Sequence, residues 1–317
     1  PRAVLEGKIH GGYYSNLYYG FNTEIDTTLD KNDVKQQVYS AGASGAIYSI
    51  HPDSFHTNYS LRMKYHYTGD ASHNNEHVFN IKGGISKYIG DWYAGVDLGI
   101  GYYQKSESID SSDNYLIQVN PYLSKTSGEW SFLLGVNTAT DVWEDGTFYV
   151  YPRAKFEFQI VKDVLIPYMG VNGYREVNNY RKILFENPFV LPGLHVKNSN
   201  HSLIGYFGLK GRYSSKMAFD IKLSYSTIED MYFFLNDTLN DVQNQFMAVY
   251  DDLSILNLGT EITYNHDENL KFILKADYYN YQLTNLEHPW HRPDFEASLS
   301  ASYNLRDKIL VDADVFY

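Results

Sequence analysis

Residues 92–103 alternate between two solvents. Trp92, Ala94, Val96, Leu98, Ile100 and Tyr102 form one row, apolar throughout and closed by an aromatic ring at each end. Tyr93, Gly95, Asp97, Gly99, Gly101 and Tyr103 form the other, small and polar around one carboxylate. A period of two over about ten residues is a β-strand with unlike faces. Trp and Tyr at the ends of the apolar row suit a face against lipid, because such rings settle at headgroup level. A soluble sandwich can show this pattern once; a chain that repeats it is confined to very few folds.

It repeats through fifteen segments. Leu5, Gly7, Ile9, Gly11 and Tyr13 oppose Glu6, Lys8 and His10. A polar stretch at 22–35 precedes a small-residue strand at 38–50. Tyr59, Leu61, Met63, Tyr65 and Tyr67 then oppose Ser60, Arg62, Lys64 and His66. Strands follow at 79–85, 92–103, 115–124 and 130–138. The clearest sets Phe148, Val150, Pro152, Ala154, Phe156, Phe158 and Ile160 against Tyr149, Tyr151, Arg153, Lys155, Glu157 and Gln159. Further strands lie at 164–174, 202–212, 217–226 and 256–264. Phe272, Leu274, Ala276 and Tyr278 oppose Lys271, Lys275 and Asp277; Phe295 to Tyr303 carries Glu296 on its polar side; and Ile309 to Tyr317 comes last. This predicts an all-β, antiparallel transmembrane β-barrel of about 14–16 strands in a single domain, 1–317. Pro121, Pro152 and Pro167 fall inside strands, where a missing N–H interrupts the ladder, so bulges or strand ends are expected there.

Composition agrees. No run of about 18 apolar residues exists for a helical span, and the polar average suits strands of which half face water. Tyr numbers 31 against 4 Trp, as barrels that line both interfaces with Tyr require. The absence of Cys excludes disulfides and thiolate metal sites. A net charge of −12 argues against a nucleic-acid partner. Pro1 opens the chain with neither Met nor signal peptide, which reads as a mature form or one trimmed at its front.

Turns give direction. Short ones are expected at 51–55, 90–91, 126–128, 162–163, 214–216, 265–269 and 305–308, alternating with long connections at 14–36, 68–76, 104–113, 139–147, 175–200, 227–252 and 282–292. Outer-membrane barrels keep short turns periplasmic and long loops outside, so the first and fifteenth strands both run outward. Bacterial single-chain barrels have even counts. Either one strand is miscounted or the chain lacks at least one, truncated at one end or both.

The turns Lys87-Tyr-Ile-Gly-Asp91, Tyr264-Asn-His-Asp-Glu-Asn269 and Tyr303-Asn-Leu-Arg-Asp-Lys308 resemble periplasmic turns of TonB-dependent-receptor-type barrels. Glu186-Asn-Pro-Phe-Val-Leu-Pro192 and Pro289-Trp-His-Arg-Pro-Asp-Phe-Glu296 look like stretches of receptor-like barrels from the Bacteroidota. The resemblance covers mainly 160–317. It implies further strands after one like 309–317, and so favours truncation. It also implies a plug domain and a TonB box, neither of which is visible, so energy-coupled uptake is not inferred.

No catalytic residue is expected. Gly-x-Ser-x-Gly is absent, Ser44-Gly45 being the nearest fragment. His288 and His291 flank a proline and lack a third ligand, and Glu107, Asp110 and Asp113 fit no calcium loop; neither a metal nor a cofactor is expected. Candidate lumen-facing residues are Arg62, Lys64, His66, Asp97, Arg153, Lys155, Glu157, Lys271, Lys275 and Glu296, with both charge signs and hence no strong ion selectivity. The long loops carry Phe189, Tyr232, Phe233, Phe234 and Phe246, which could extend strands as a hairpin, fold inward as a constriction, meet a partner or simply pack within their own loops. The expected function is passage or receptor-type transport of a solute in the outer membrane of a Gram-negative bacterium, porin-like in its open-barrel form. The alternative is a non-transporting scaffold that holds other outer-membrane or surface proteins. The remaining partners are the lipid bilayer and its lipopolysaccharide leaflet.

Overall fold

The computed structural model describes residues 3–17, 35–50, 57–106, 109, 113–142, 146–191, 194–237, 245–305 and 308–317. Its strands are β1 (Ala3–Leu17), β2 (Lys35–Ser49), β3 (Asn58–Asp70), β4 (Asn75–Ile89), β5 (Trp92–Lys105), β6 (Asn114–Thr126), β7 (Trp130–Asp141) and β8 (Thr147–Phe158). They continue as β9 (Leu165–Glu176), β10 (Ser199–Arg212), β11 (Met217–Asn236), β12 (Phe246–Asn265), β13 (Leu270–Leu283), β14 (Phe295–Leu305) and β15 (Ile309–Phe316). One helix, α1 (Tyr180–Glu186), lies between β9 and β10. Each strand pairs antiparallel with its sequence neighbours, in the order β1 to β15. Among the described residues no helix is long and apolar enough to cross a membrane.

The register makes the alternation continuous from strand to strand. Tyr65 pairs with Phe79, Phe79 with Tyr102 and Tyr102 with Tyr115. Their rings follow one another at 4.6, 6.2 and 4.6 Å on the outward face. Toward the short turns a second aromatic row includes Trp92 against Phe132 at 5.2 Å, and Tyr264 paired with Phe272. From Trp92 to Tyr102 the strand advances about 33 Å. At a tilt of roughly 40° this is a band of about 25 Å, the height of a barrel's apolar belt. Leu98, Ile100 and Ile117 within the band remain well exposed on the outward face. That is the arrangement of a surface whose solvent is hydrocarbon.

All three prolines point outward, and each marks a broken ladder. β6 and β7 pair at Gln118–Ala139 and again at Tyr122–Gly135, but not between, where Pro121 lies. There Asn120 Oδ1 accepts from the Thr138 N–H (2.9 Å), and Thr138 Oγ1 donates to the Val119 carbonyl (2.7 Å). β8 and β9 pair only from Ala154–Val171 to Glu157–Tyr168, a stretch bracketed by Pro152 and Pro167.

Connections are shorter than the sequence suggests, because strands outrun the bilayer. The connection expected at 68–76 is a four-residue turn, 71–74, so the alternation of short and long does not extend to β3–β4. That expected at 227–252 contracts to 237–245, since β11 and β12 each run 20 residues. The expected turn 51–55 lies outside the described residues. Gly90, at a φ of +61°, takes the left-handed position in the tight β4–β5 turn, where a Cβ would strain the backbone. Among the described residues the sheet is open: β1 pairs only with β2, and β15 only with β14.

Candidate functional site

The residues between β9 and β10 fold inward instead of standing above the sheet. Asn179 begins α1 as its N-cap, its side chain accepting from the Lys182 N–H at 2.8 Å. Tyr180, Ile183 and Leu184, at helical spacing i, i+3 and i+4, form the buried face. They pack with Val190, Leu194 and Val196 of the same segment, Val38 of β2, Ile109, and Tyr232 and Phe234 of β11.

Polar contacts anchor both ends of this helix to distant strands. The Tyr180 hydroxyl donates to Asp70 Oδ2 at 2.5 Å, and the N–H groups of Tyr180 and Arg181 donate to Glu76 at 3.0 and 3.4 Å. At the other end Glu186 accepts from Arg292 Nη1 at 2.8 Å and from the Tyr232 hydroxyl. The two segments that resembled receptor-like barrels, around 186–192 and 289–296, thus meet through Glu186 and Arg292. Burial pushes the Glu76 carboxyl above its ordinary range, although two N–H groups and nearby cations favour its charged form. Glu176 is held down to about 2, chiefly by the hydrogen bond from His201 and next by Lys182 at 2.8 Å. At Asp251, burial raises the pKa, but hydrogen bonds from Leu286, Asn285 and Asp252 together bring it below the ordinary value. Asp251 so ties segment 284–294 to β12.

The loop aromatics form a hairpin buried on both sides. β11 and β12 continue past a bulge between Ile228 and Met231, where Asp230 has a φ of 54°. Tyr232 and Phe234 pack toward α1, with Phe246 beside them; Phe233 packs the other way, in a cluster with Ile228 and Leu253 against which Leu286 rests. Tyr232, Phe233 and Phe234 are 3, 0 and 4% exposed. The main chain of Phe189 accepts from the Phe246 N–H at 2.9 Å. These aromatics bind the loops to one another. Burial on both faces also explains why 231–235 is apolar without alternation.

Every expected lumen-facing residue lies on the face opposite the aromatic rows, but in separate groups. Arg62 and Lys64 border a cavity with Glu6, Lys8 and Arg181. His66 is buried and stacks on His10 with ring centroids 5.1 Å apart and His10 Nε2 2.9 Å from His66 Nδ1. Gly42 lies between the two histidines in register, and a Cβ there would come within 2.5 Å of the His10 ring. Asp97 accepts from Arg153 at 3.1 Å. Glu157 bridges Lys155 and Lys210 at 2.8 and 2.6 Å. Lys275 meets Glu261 at 3.1 Å. Glu296 pairs in register with Asp277, and Lys271 with Asn265 beside a turn. Lys8 and Arg181 were not among the candidates. The signal for Lys8 was register, which sets it in line with Lys64 with Ser44 of β2 between them; Arg181 belongs to a loop whose inward course no local pattern reports.

His291 packs edge-on against Phe246 at 5.3 Å, and His288 against Trp290 at 5.4 Å. Among the described residues no three His, Asp or Glu side chains group as a metal site. Asp113 accepts from the Tyr102 hydroxyl at 2.6 Å, whereas Glu107 and Asp110 lie outside the described residues.

No family model matches this sequence, and no curated protein resembles it significantly. Solved structures do. The ferric enterobactin receptor PfeA of Pseudomonas aeruginosa matches with a TM-score of 0.65 at 10% identity, over 100% of this chain and 55% of that one. The siderophore receptor PirA of Acinetobacter baumannii gives 0.66 at 8% identity, over 98% and 55%. The pyoverdine outer membrane receptor FpvA of Pseudomonas aeruginosa gives 0.55 at 9% identity, over 88% and 50%. The chain therefore has the fold of outer-membrane receptor barrels, and spans about half the length of those it matches.

Proposed function

We propose that this chain forms wall and loop cover of a bacterial outer-membrane receptor that binds a solute and admits it through the barrel. The observation that carries this is the inward-folded segment 177–198, whose helix is anchored to β3–β4 at one end and β11 at the other. It narrows the interior at the long-loop end, above a wall carrying Arg62, Lys64, Asp97, Arg153, Lys155 and Glu157. A scaffold for surface partners is better served by loop aromatics presented to solvent, and here Tyr232, Phe233 and Phe234 are buried. The named solutes of the matched receptors support the class of function and leave this chain's own solute open.

On this reading the outward aromatic rows contact the bilayer and its lipopolysaccharide leaflet, residues 1–317 belong to one barrel domain, and a source in the Bacteroidota accords with the turn and loop segments. The unpaired edges of β1 and β15 take further strand partners, because hydrocarbon satisfies no backbone N–H or C=O. Intact mass of the protein extracted from its native outer membrane tests that point: a value well above 36.6 kDa supplies those strands. Conductance in planar bilayers tests passage. Steady pores are expected once residues 177–198 are replaced by a short linker; silence from the native and shortened proteins alike would move the reading to the scaffold.

A further inference from the structure

The inner wall is neutralised unevenly. From β5 onward, Arg153, Lys155, Arg175, Lys182, Lys210, Lys275 and Arg292 each have a carboxylate oxygen within 3.1 Å, while Arg212, Lys222 and Lys271 stand without an ion pair among the described residues and border no common cavity. On the first strands the pattern is reversed. Lys8 of β1, Arg62 and Lys64 of β3, and Arg181 of α1 border a single cavity of about 760 Å³. None of the four forms an ion pair among the described residues. The one carboxylate that borders the cavity, Glu6, is already engaged by the Tyr48 hydroxyl at 2.5 Å, and Glu76, outside that lining, accepts from the main chain of Tyr180 and Arg181. Lys82 pairs in register with Arg62 and borders the adjoining cavity, extending the positive stripe.

Arg181 carries a second signal. Its main chain is fixed by Glu76 and its guanidinium lies over the Phe185 ring at 4.8 Å, yet its Nε is buried without a hydrogen-bond partner. A donor so placed, beside three further cations, lacks an acceptor. Four like charges around one hollow repel one another, and a bound anion relieves that repulsion while using the unspent donors.

We propose that this cavity is a binding site for a soluble polyanion bearing two or more phosphate or carboxylate groups. Arg62 and Arg181 present planar forks that match such groups in pairs, and Lys8 and Lys64 add point charges. The volume falls within the range of small-molecule sites. The cavity lies on the inner face, away from the aromatic rows, which assigns it to a solute and not to a lipid headgroup. Because Arg181 stands on α1, the same segment that covers the interior closes one side of the site, so occupancy holds the cover down. The proposal rests on the receptor reading only for the fate of the anion; binding itself needs no transport.

The test is titration of the detergent-solubilised protein with pyrophosphate and, separately, citrate, monitored by calorimetry. Binding is expected, falling as NaCl is raised. Arg62→Ala and Arg181→Ala should each weaken it by about tenfold or more, the scale of a lost charge-assisted contact. Lys222→Ala, on the inner face of β11, should bind as the parent does. Lys8 and Lys64 of the unmutated protein should also be protected from acetylation by the bound anion, read by mass spectrometry, which keeps the test valid if a variant misfolds. Absence of binding by the parent, equal binding by Arg62→Ala and Arg181→Ala, or unprotected Lys8 and Lys64 overturns the site. Binding without conductance overturns the passage reading and leaves the site standing.

Discussion

At the long-loop end Tyr180, Ile183, Leu184 and Phe233 are wholly buried, whereas on the outward face of the wall Ile100, Leu134, Met169 and Phe207 are at least half exposed. The difference follows from what each region has for a solvent. In the membrane band the ladder satisfies the backbone and lipid receives the apolar side chains, so no protein core is needed. Beyond the band, water surrounds the strands on every side. The extensions of β11 and β12 then persist only because residues 177–198 and 284–294 cover their two faces. One region is a membrane wall, the other a small soluble core built on top of it.

Substitutions should separate the two regions. The largest effect is expected from Tyr180→Ala, which removes a fully buried ring and its hydroxyl contact to Asp70, at a local cost of about 3–5 kcal/mol. Limited proteolysis should then cut within 177–198 while heat-modifiable gel migration, the mark of a folded barrel, is retained. Loss of both together would mean that core and wall fold as one unit. Next, Leu98→Lys on the outward face should destabilise the wall by about 2–4 kcal/mol in urea titrations from liposomes, and leave the protease pattern of folded molecules unchanged. Weaker again, Glu186→Gln should cost about 1 kcal/mol, since Glu186 and Arg292 are partly exposed and screened; its readout is faster hydrogen exchange in 180–186 and 284–294.

The smallest effect concerns pH. Glu176 has its folded pKa lowered to about 2 from an ordinary 4.5, so its contribution to holding α1 is present above about 4.5 and is lost as pH falls toward 2. Glu76 is raised, so its contribution has the opposite sign: complete below 4.5 and lost as pH rises through the folded value. Exchange protection of α1, followed from pH 7 to pH 3, should lose its acid-side decline in Glu176→Gln and its alkaline-side decline in Glu76→Gln. Identical profiles in both variants would break the assignment.

Much of the wall was legible in the residues. Two-residue periodicity located all fifteen strands and assigned the outward row in those with the clearest alternation, such as 59–67, 92–103 and 148–160, and the strands pair in sequence order. The prolines were legible as faults in the ladder, but their repair by Asn120 and Thr138 was not, because it depends on which strand lies opposite. The charged candidates were all placed on the inner face, since face is a local property. Their sorting into neutralised groups and an uncompensated stripe was not legible. Arg153 of β8 reaches Asp97 of β5 past the two strands between them, and Arg181 approaches Arg62 only through a folded loop. The helix left a trace in Asn179, Tyr180, Ile183 and Leu184, short enough to be lost among loop residues.

The sequence by itself determined the all-β class, the two faces of each strand and the aromatic rows, because alternation is a covalent consequence of the extended chain and needs no partner to be expressed. Tertiary structure alone decided where the core lies, how far β11 and β12 extend beyond the belt, which cations meet carboxylates and which are left to a ligand. Those outcomes depend on contacts between residues some hundred positions apart, such as Tyr180 with Glu76 and Asp70. Only the curvature of the sheet and the inward course of one loop bring them together.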